Sequence, residues 1–430
     1  MRSRKNLLCR MALATLAVLA LALITGCDPE PEAKNGNPIS EKEAESLGEP
    51  QIIFTTSRLD TVSDGDVPPL KCYVDTRSYG RIYADWGDGS IVKCSIWYDN
   101  EDSPYVQGQL TGDTVKLYSS DHITVFQCQG ELTSLDVSHD ISLNELNISH
   151  NALTELKLYE NQSLKTLDCS FNALETLDVS NNPFLEELNC QGNPLNRLMF
   201  GEKNTFLNQL NCSDTRVETL DLSQLTGLKT LLCCRCQLSA LSVKSNKKLR
   251  QLCIDGNTGL HALDLTNNFE LKSLTVKHTN LAELDLSQNT ALTSLNFSES
   301  GLTDLDLSHS TALKILYCDS NRLTQLDVSH NTALETFSCR GNRLTELDIS
   351  QNTALLTLNC SDNALTALDT SRNRKLQTLI CQNNALTSLD LRENEALTKL
   401  DYCGNSEMAA PDLSRNEWLH NVNGEWYTSD

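Results

Sequence analysis

What this chain has little of narrows the field first. Lysine and arginine number 35 in 430 residues against 57 aspartates and glutamates, a formal net charge of −22. A surface of that sign repels nucleic-acid phosphates and anionic lipid faces, which sets nucleic-acid binding aside and leaves room for a cationic partner. Aromatic residues make up only 5% of the chain, too few on any one face to build a linear platform for neutral sugars. No GxSxG elbow, HExxH pair or phosphate-binding loop occurs, and carboxylates come together only as periodic columns. The reading is therefore that the chain is not an enzyme.

What it has in abundance is one repeated stretch. Leu334 opens LETFSCRGNRLTELDISQNTA, Leu355 opens LLTLNCSDNALTALDTSRNRK, and Leu376 opens LQTLICQNNALTSLDLRENEA. These starts lie 21 residues apart, and a fixed period in that range signals a solenoid. Each unit has two halves, LxxLxCxxNxL over 11 residues and TxLDxSxNxx over 10. The first half resembles the leucine-rich repeat, and the array resembles that of internalin-like repeat proteins. That resemblance implies a right-handed solenoid, mainly β, whose outward strand residues form a protein-binding face. The array runs from Leu132 to about Asn405, giving a solenoid over residues 132–407 and a C-terminal cap over 408–430. At about 4.8 Å per stacked strand, roughly 13 coils make a body on the order of 60 Å long. Trp418, Leu419, Val422, Trp426 and Tyr427 supply bulk where the leucines stop and are expected to shield the last coil.

The N-terminal part reads differently. Arg2, Arg4 and Lys5 precede an apolar run, Met11 to Ile24, and then Thr25-Gly26-Cys27, the layout of a secretory signal over residues 1–26. Ile24-Thr25-Gly26-Cys27 resembles a bacterial lipobox, which implies lipidation of Cys27. Asp28, Glu30 and Glu32 resemble the acidic export signals of Bacteroidetes-type surface lipoproteins, which implies an outer-membrane, surface-exposed location. Residues 27–50 are polar and acidic and are expected to form a disordered tether. Residues 51–131 carry short runs of alternating and β-branched residues, among them Lys71-Cys72-Tyr73-Val74 and one continuous strand from Ile91 to Trp97. Asp85-Trp86-Gly87-Asp88-Gly89-Ser90 supplies a hairpin turn, and its WGDG string is similar to the motif of PKD-like β-sandwich domains. A small β-sandwich is expected there, acting as a cap on the first coil, with Ile123–Phe126 abutting it and Cys72 and Cys94 as a candidate disulfide.

Within the repeat, substitution decides the role of each column. Position six holds Cys169, Cys190, Cys212, Cys233, Cys318, Cys339, Cys360 and Cys381, replaced elsewhere by Ile148, Ile254, Val276 and Phe297. Cysteine interchangeable with plain hydrophobes is a small buried residue, so these are read as free thiols. Position nine holds asparagines such as Asn172, Asn342 and Asn384, read as inward amides that satisfy the turns. Aspartates such as Asp348 and Asp369 form a column in the second half, with Ser and Thr hydroxyls and turn amides as donors. A calcium edge is the alternative for that column, although the Gly-Asp loops of calcium solenoids are missing. No other cofactor is expected. Cys233, Cys234, Cys236 and Cys253 cluster off the column, as a zinc site or, more simply, a Cys234–Cys253 disulfide.

Positions two, three and five of the first half face outward, and most are small and polar. The exceptions are Leu232, Ile315, Tyr317, Leu356 and Ile380, expected to be exposed, with Arg250 and Arg340 beside them. Exposed apolar groups on a broad surface mark interaction sites. The residues thus read as a surface adhesion or recognition module for a protein, on a host or neighbouring cell, with membrane attachment at Cys27. The alternative is a non-catalytic subunit of a nutrient-capture complex.

Overall fold

The computed structural model describes residues 36–58, 69–78 and 80–426; the signal segment, Cys27 and the acidic export motif lie outside them. The chain is mainly β, a solenoid of about 14 turns at a 21-residue period preceded by two packed sheets. In chain order the leading strands are β1 (Ile52–Thr56), β2 (Leu70–Thr76), β3 (Ile82–Asp85), β4 (Ile91–Lys93), β5 (Trp97–Tyr98), β6 (Pro104–Gly108), β7 (Thr114–Ser119) and β8 (Ile123–Cys128). Alternation sets their faces: Ile52, Phe54 and Thr56 of β1 are buried while Ile53 and Thr55 are not. One sheet has the order β4-β3-β7-β1 and adds β9 (Leu132–Asp136) at its edge. The other runs β5-β6-β2-β8. Phe54 and Phe126 meet between them with ring centroids 6.0 Å apart. The β3–β4 turn is tight because Asp85 Oδ1 accepts the Gly87 and Gly89 N–H groups, each at 2.9 Å. Both glycines have positive φ.

The second sheet does not stop at the module boundary. β8 pairs in parallel with β10 (Glu145–Asn147), placing Val125 opposite Glu145 and Phe126 opposite Leu146. From β10 onward, three-residue strands continue in register as far as Lys399–Asp401. β8 is therefore the rung that precedes the first coil, and the hydrophobic interiors of the two modules form one core.

Several expectations for the N-terminal region are corrected. Residues 36–50 are not a disordered tether throughout: a helix, α1, spans Glu41–Leu47. Ser40 accepts the Glu43 N–H at 3.3 Å, the Ile39 N–H donates to Ile91 O at 2.9 Å, and the Tyr83 hydroxyl donates to Glu43. A Ser-x-x-Glu capping arrangement gives this polar segment a local structure that composition alone hides. The Ile91–Trp97 run divides between the two sheets: Ile91–Lys93 and the Cys94 N–H, which donates to Ile82 O, stay with β3, while Trp97–Tyr98 pairs with β6. Cys72 does not face Cys94. It lies opposite Cys128 across β2 and β8, the two sulfurs 3.3 Å apart and both thiols free.

In the solenoid the position-six cysteines are fully buried and free. Burial pushes the thiols of Cys169, Cys318, Cys339 and Cys360 well above the usual range. The position-nine asparagines act as a rail. Asn342 Nδ2 donates to Cys318 O and Cys339 O, both at 2.9 Å, and its Oδ1 accepts the Leu323 N–H at 3.2 Å. A second rail, not anticipated, runs through the asparagines of the other half. Asn352 is completely buried and its Nδ2 donates to Val328 O and Asn331 O, both at 2.9 Å.

The turn geometry assigned to position nine belongs to position eight. His150, Phe171, Asp214, Arg235, His278, Glu299, Ser320, Asp362 and Asn383 all hold φ between 50° and 58° there, with glycine at Gly192, Gly256, Gly341 and Gly404. At the C-terminus the ladder runs on through the residues read as a cap. Asn416 joins the second rail and Asn421–Val422 pairs in parallel with Lys399–Asp401. Leu419 is buried, but Trp418 is 72% exposed and shields nothing, because it precedes the inward leucine and points the other way. The Trp426 side chain and Tyr427 lie outside the described residues.

Candidate functional site: the strand face of the solenoid

Along the main ladder each three-residue strand buries its central residue and, apart from the buried Ser338, leaves the flanking two at least partly exposed. Leu316 is buried between Ile315 and Tyr317, and Leu252 between Gln251 and Cys253. Because every strand is in register, outward residues line up in rows across the sheet. One row reads Asn296, Tyr317, Ser338, Asn359, Ile380. Hydroxyls and amides dominate, so the face is a hydrogen-bonding surface with few apolar interruptions.

The predicted apolar residues fall into two classes. Ile315 and Tyr317 are exposed, at 36% and 37%, side by side on one strand. Leu232, Leu356 and Ile380 are half-buried; neighbouring side chains at the 4.8 Å ladder spacing cover part of each. These residues span several coils. Ile380 stands three ladder steps from Tyr317, roughly 14 Å, and Leu232 four steps away on the opposite side. Arg250 is exposed on the face, but its Nε and Nη2 donate to Glu270 at 3.0 and 2.9 Å. Arg340 sits past its strand, with Nε on Asp362 at 2.7 Å.

Beside the face runs a chain of ion pairs and hydrogen bonds from coil to coil, built on positions seven and eight. Arg235 grips Asp214 through Nε at 2.6 Å and Nη2 at 2.8 Å. Burial opposes ionisation of Asp214, yet Arg235 and Gln191 hold its carboxyl below the usual range. His278 bridges three coils, with Nδ1 3.0 Å from Asp255 and Nε2 2.9 Å from Glu299. His150 stacks on Phe171 at 4.5 Å. Sequence reasoning missed this edge; the glycines in RGN, QGN and DGN at the same slot were the signal that it is a left-handed column.

The other candidate sites resolve structurally. Cys234 and Cys253 form a disulfide with Cα atoms 5.9 Å apart, while Cys233 stays in the buried column. Cys236 fills an asparagine slot, its thiol 3.2 Å from Cys212 O. Among the described residues, no group of three His, Cys, Asp or Glu is placed to hold a metal ion. Each column aspartate accepts the N–H two residues on, as Asp348 does from Ser350 at 2.8 Å. Such bonds hold the Asp327, Asp348 and Asp369 carboxyls below the usual range, and Asp264 down to about 2 through Thr266. Their charge is met by turn amides and hydroxyls.

Among solved structures, the chain is similar to the functional domain of InlJ from Listeria monocytogenes, described as including a cysteine ladder. The two share 34% identity with a TM-score of 0.60, over 64% of this chain and 61% of that one. The fold is a leucine-rich-repeat solenoid. The chain thus spans less than two thirds of that protein's length. A leucine-rich-repeat protein of Leptospira interrogans matches at 23% identity and a TM-score of 0.63, over 68% of this chain and 81% of that one. The internalin InlF of Listeria monocytogenes matches at 20% and 0.53, over 67% and 86%. These two speak to the fold alone. No protein-family model and no curated protein matches the sequence. The buried thiol column of this leucine-rich-repeat solenoid agrees with the ladder named for InlJ.

Proposed function

We propose that this chain is a non-catalytic recognition module, lipid-anchored through Cys27 at the bacterial outer surface, whose strand face binds a protein. The observation that carries the reading is Ile315 beside Tyr317, an exposed apolar pair on a face whose other outward groups are mostly polar or charged. An aromatic and a branched aliphatic group presented together on a rigid sheet suit the anchor of a protein interface. The internalin-type neighbours and the lack of a catalytic grouping on the face support the same reading. Capture from culture and host extracts on the intact ectodomain, compared with an Ile315→Ala, Tyr317→Ala variant, tests it. A partner lost with the variant supports the site; an unchanged set of captured proteins removes it. Incorporation of a palmitate analogue, abolished by Cys27→Ala, tests the anchor.

The nutrient-capture reading draws on a different place. Trp97, Tyr105 and Tyr73 sit opposite one another on β5, β6 and β2, and Lys71 Nζ lies 3.6 Å from the Tyr105 ring centroid. Retention of neutral oligosaccharides by the ectodomain, lost in Trp97→Ala, would favour it.

A further inference from the structure

In the middle coils one outward column is cationic although the molecule as a whole carries a formal charge of −22. Lys229, Arg250 and Lys272 hold position two in three successive coils, joined backbone to backbone. The Arg250 N–H donates to Lys229 O at 2.7 Å and the Lys272 N–H to Arg250 O at 2.9 Å. Thr293 continues the column and Lys314 follows it. Neighbouring members therefore stand about 4.8 Å apart, within a Debye length of about 8 Å at physiological salt, so their fields add. All four cations are exposed. Arg250 is paired with Glu270 and Lys314 with Glu335. Lys229 and Lys272 make no ion pair among the described residues, and exposed Lys247 and Lys248 lead into Arg250.

The rest of the same sector supports a ligand rather than a solvated face. Beside the cations one outward row reads Thr230, Gln251, Ser273 and Ser294 and the other Leu232, Cys253, Thr275 and Asn296, with no carboxylate in either row; the Glu270 carboxylate, in the turn before Lys272, is taken up by Arg250. The contrast lies a few coils earlier, where Glu145, Glu186 and Glu187 crowd the face. Burial and then the nearby Glu186 and Glu145 charges push the Glu187 carboxyl up. An anionic ligand is thus repelled from one end and held in the middle.

We infer that the Lys229–Lys272 sector binds a polyanionic glycan bearing sulfate or uronate groups. A row of cations flanked by amides and hydroxyls answers alternating anionic groups and sugar hydroxyls. Between Lys229 and Lys272 the apolar groups on the strands' outward rows, Leu232 and Cys253, are half-buried and offer no exposed anchor of the kind protein interfaces depend on. One exposed ring, Phe269 in the turn before Lys272, is too little for stacking successive bases. The assignment is independent of the Ile315–Tyr317 reading, which lies two strands beyond Lys272.

Fluorescence anisotropy of the full chain with labelled heparin oligosaccharides, oligogalacturonate, neutral dextran and poly-glutamate tests it across a salt series. Heparin binding would assign sulfate recognition and oligogalacturonate binding uronate recognition; dextran should not bind. Affinity should fall steeply with salt. The Lys229→Gln, Arg250→Gln, Lys272→Gln variant should lose about tenfold or more in affinity, with a salt slope shallower by about two to three, near one per cation removed. A Lys157→Gln, Lys375→Gln, Arg415→Gln variant makes the same change in net charge elsewhere and should retain binding, as should Tyr317→Ala. Lys229→Arg with Lys272→Arg should also retain it, which separates charge from folding. Absence of glycan binding, equal loss in both triple variants, or preference for poly-glutamate would each overturn the proposal, the last by making the ligand an acidic polypeptide.

Discussion

The two halves of each coil use the same side chain for the same purpose and reach different degrees of rigidity. In the strand half, Asn342 bridges three backbone groups, but the slot also accepts Thr215, Thr279, Ser300 and Cys236. Thr215 and Thr279 keep one of the bonds, to the carbonyl three residues earlier, at 2.8 Å. In the other half, Asn352 and its counterparts sit at zero or near-zero exposure, each with Nδ2 on two carbonyls of the preceding coil. The strand half has a ladder of backbone hydrogen bonds beside its rail; the other half pairs only briefly, at Thr176–Asp178 with Arg197–Met199. Where strand pairing holds the coils, the amide is helpful. Where pairing is nearly absent, the amide becomes the coil-to-coil connection.

The largest effect that would break this comparison is predicted for Asn352→Ala. It removes two buried coil-to-coil hydrogen bonds, to Val328 O and Asn331 O, each of which keeps one backbone donor. The expected cost is about 2 kcal/mol, read by denaturant unfolding and by faster amide exchange in the flanking coils. A cost below about 1 kcal/mol would deny the second rail its role.

Asp140 occupies a slot of that same rail, and burial raises its carboxyl to about 6. The folded value lies above the unfolded one, so this group's contribution is fully present at low pH and is lost as pH rises from about 4 through 6. Asp140→Asn should therefore stabilise the protein by about 2 kcal/mol at pH 7 and by almost nothing below pH 4, a difference that paired melting curves would show.

Asn342→Thr sharpens the contrast from the strand side. It keeps the bond to Cys339 O and loses those to Cys318 O and the Leu323 N–H, for a cost of about 1 kcal/mol in the same unfolding assay. The smallest change is a gain. Ser320 holds φ 53°, and Ser320→Gly should raise stability by about 0.5–1 kcal/mol by relieving the left-handed backbone. A loss instead would show that the Ser320 side chain contributes more than the strain it brings.

Legibility in the sequence followed periodicity. The thiol column was readable because Ile148, Val276 and Phe297 replace cysteine in the same slot, and the aspartate column because a Ser or Thr stands two residues on. The second rail carried the same signal, an asparagine every 21 residues, yet its direction inward depends on how the turn closes. The site was less legible. Outward facing is a matter of register, so Ile315 and Tyr317 were identifiable, whereas the partial cover of Leu232, Leu356 and Ile380 comes from neighbours in adjacent coils. The cationic column was hidden by the net charge, because summing over the chain removes the one variable that matters there, position along the face.

The sequence by itself determined the period, the inward columns and the thinness of each coil, since these follow from which residues recur every 21 positions and cannot be solvated. Only the tertiary structure decided that β8 pairs with β10, that Cys72 meets Cys128 rather than Cys94, and that three cations stand on adjacent strands of one face. Each of these is a distance between residues far apart in the chain, and such distances are fixed by strand register and stacking rather than by any local preference.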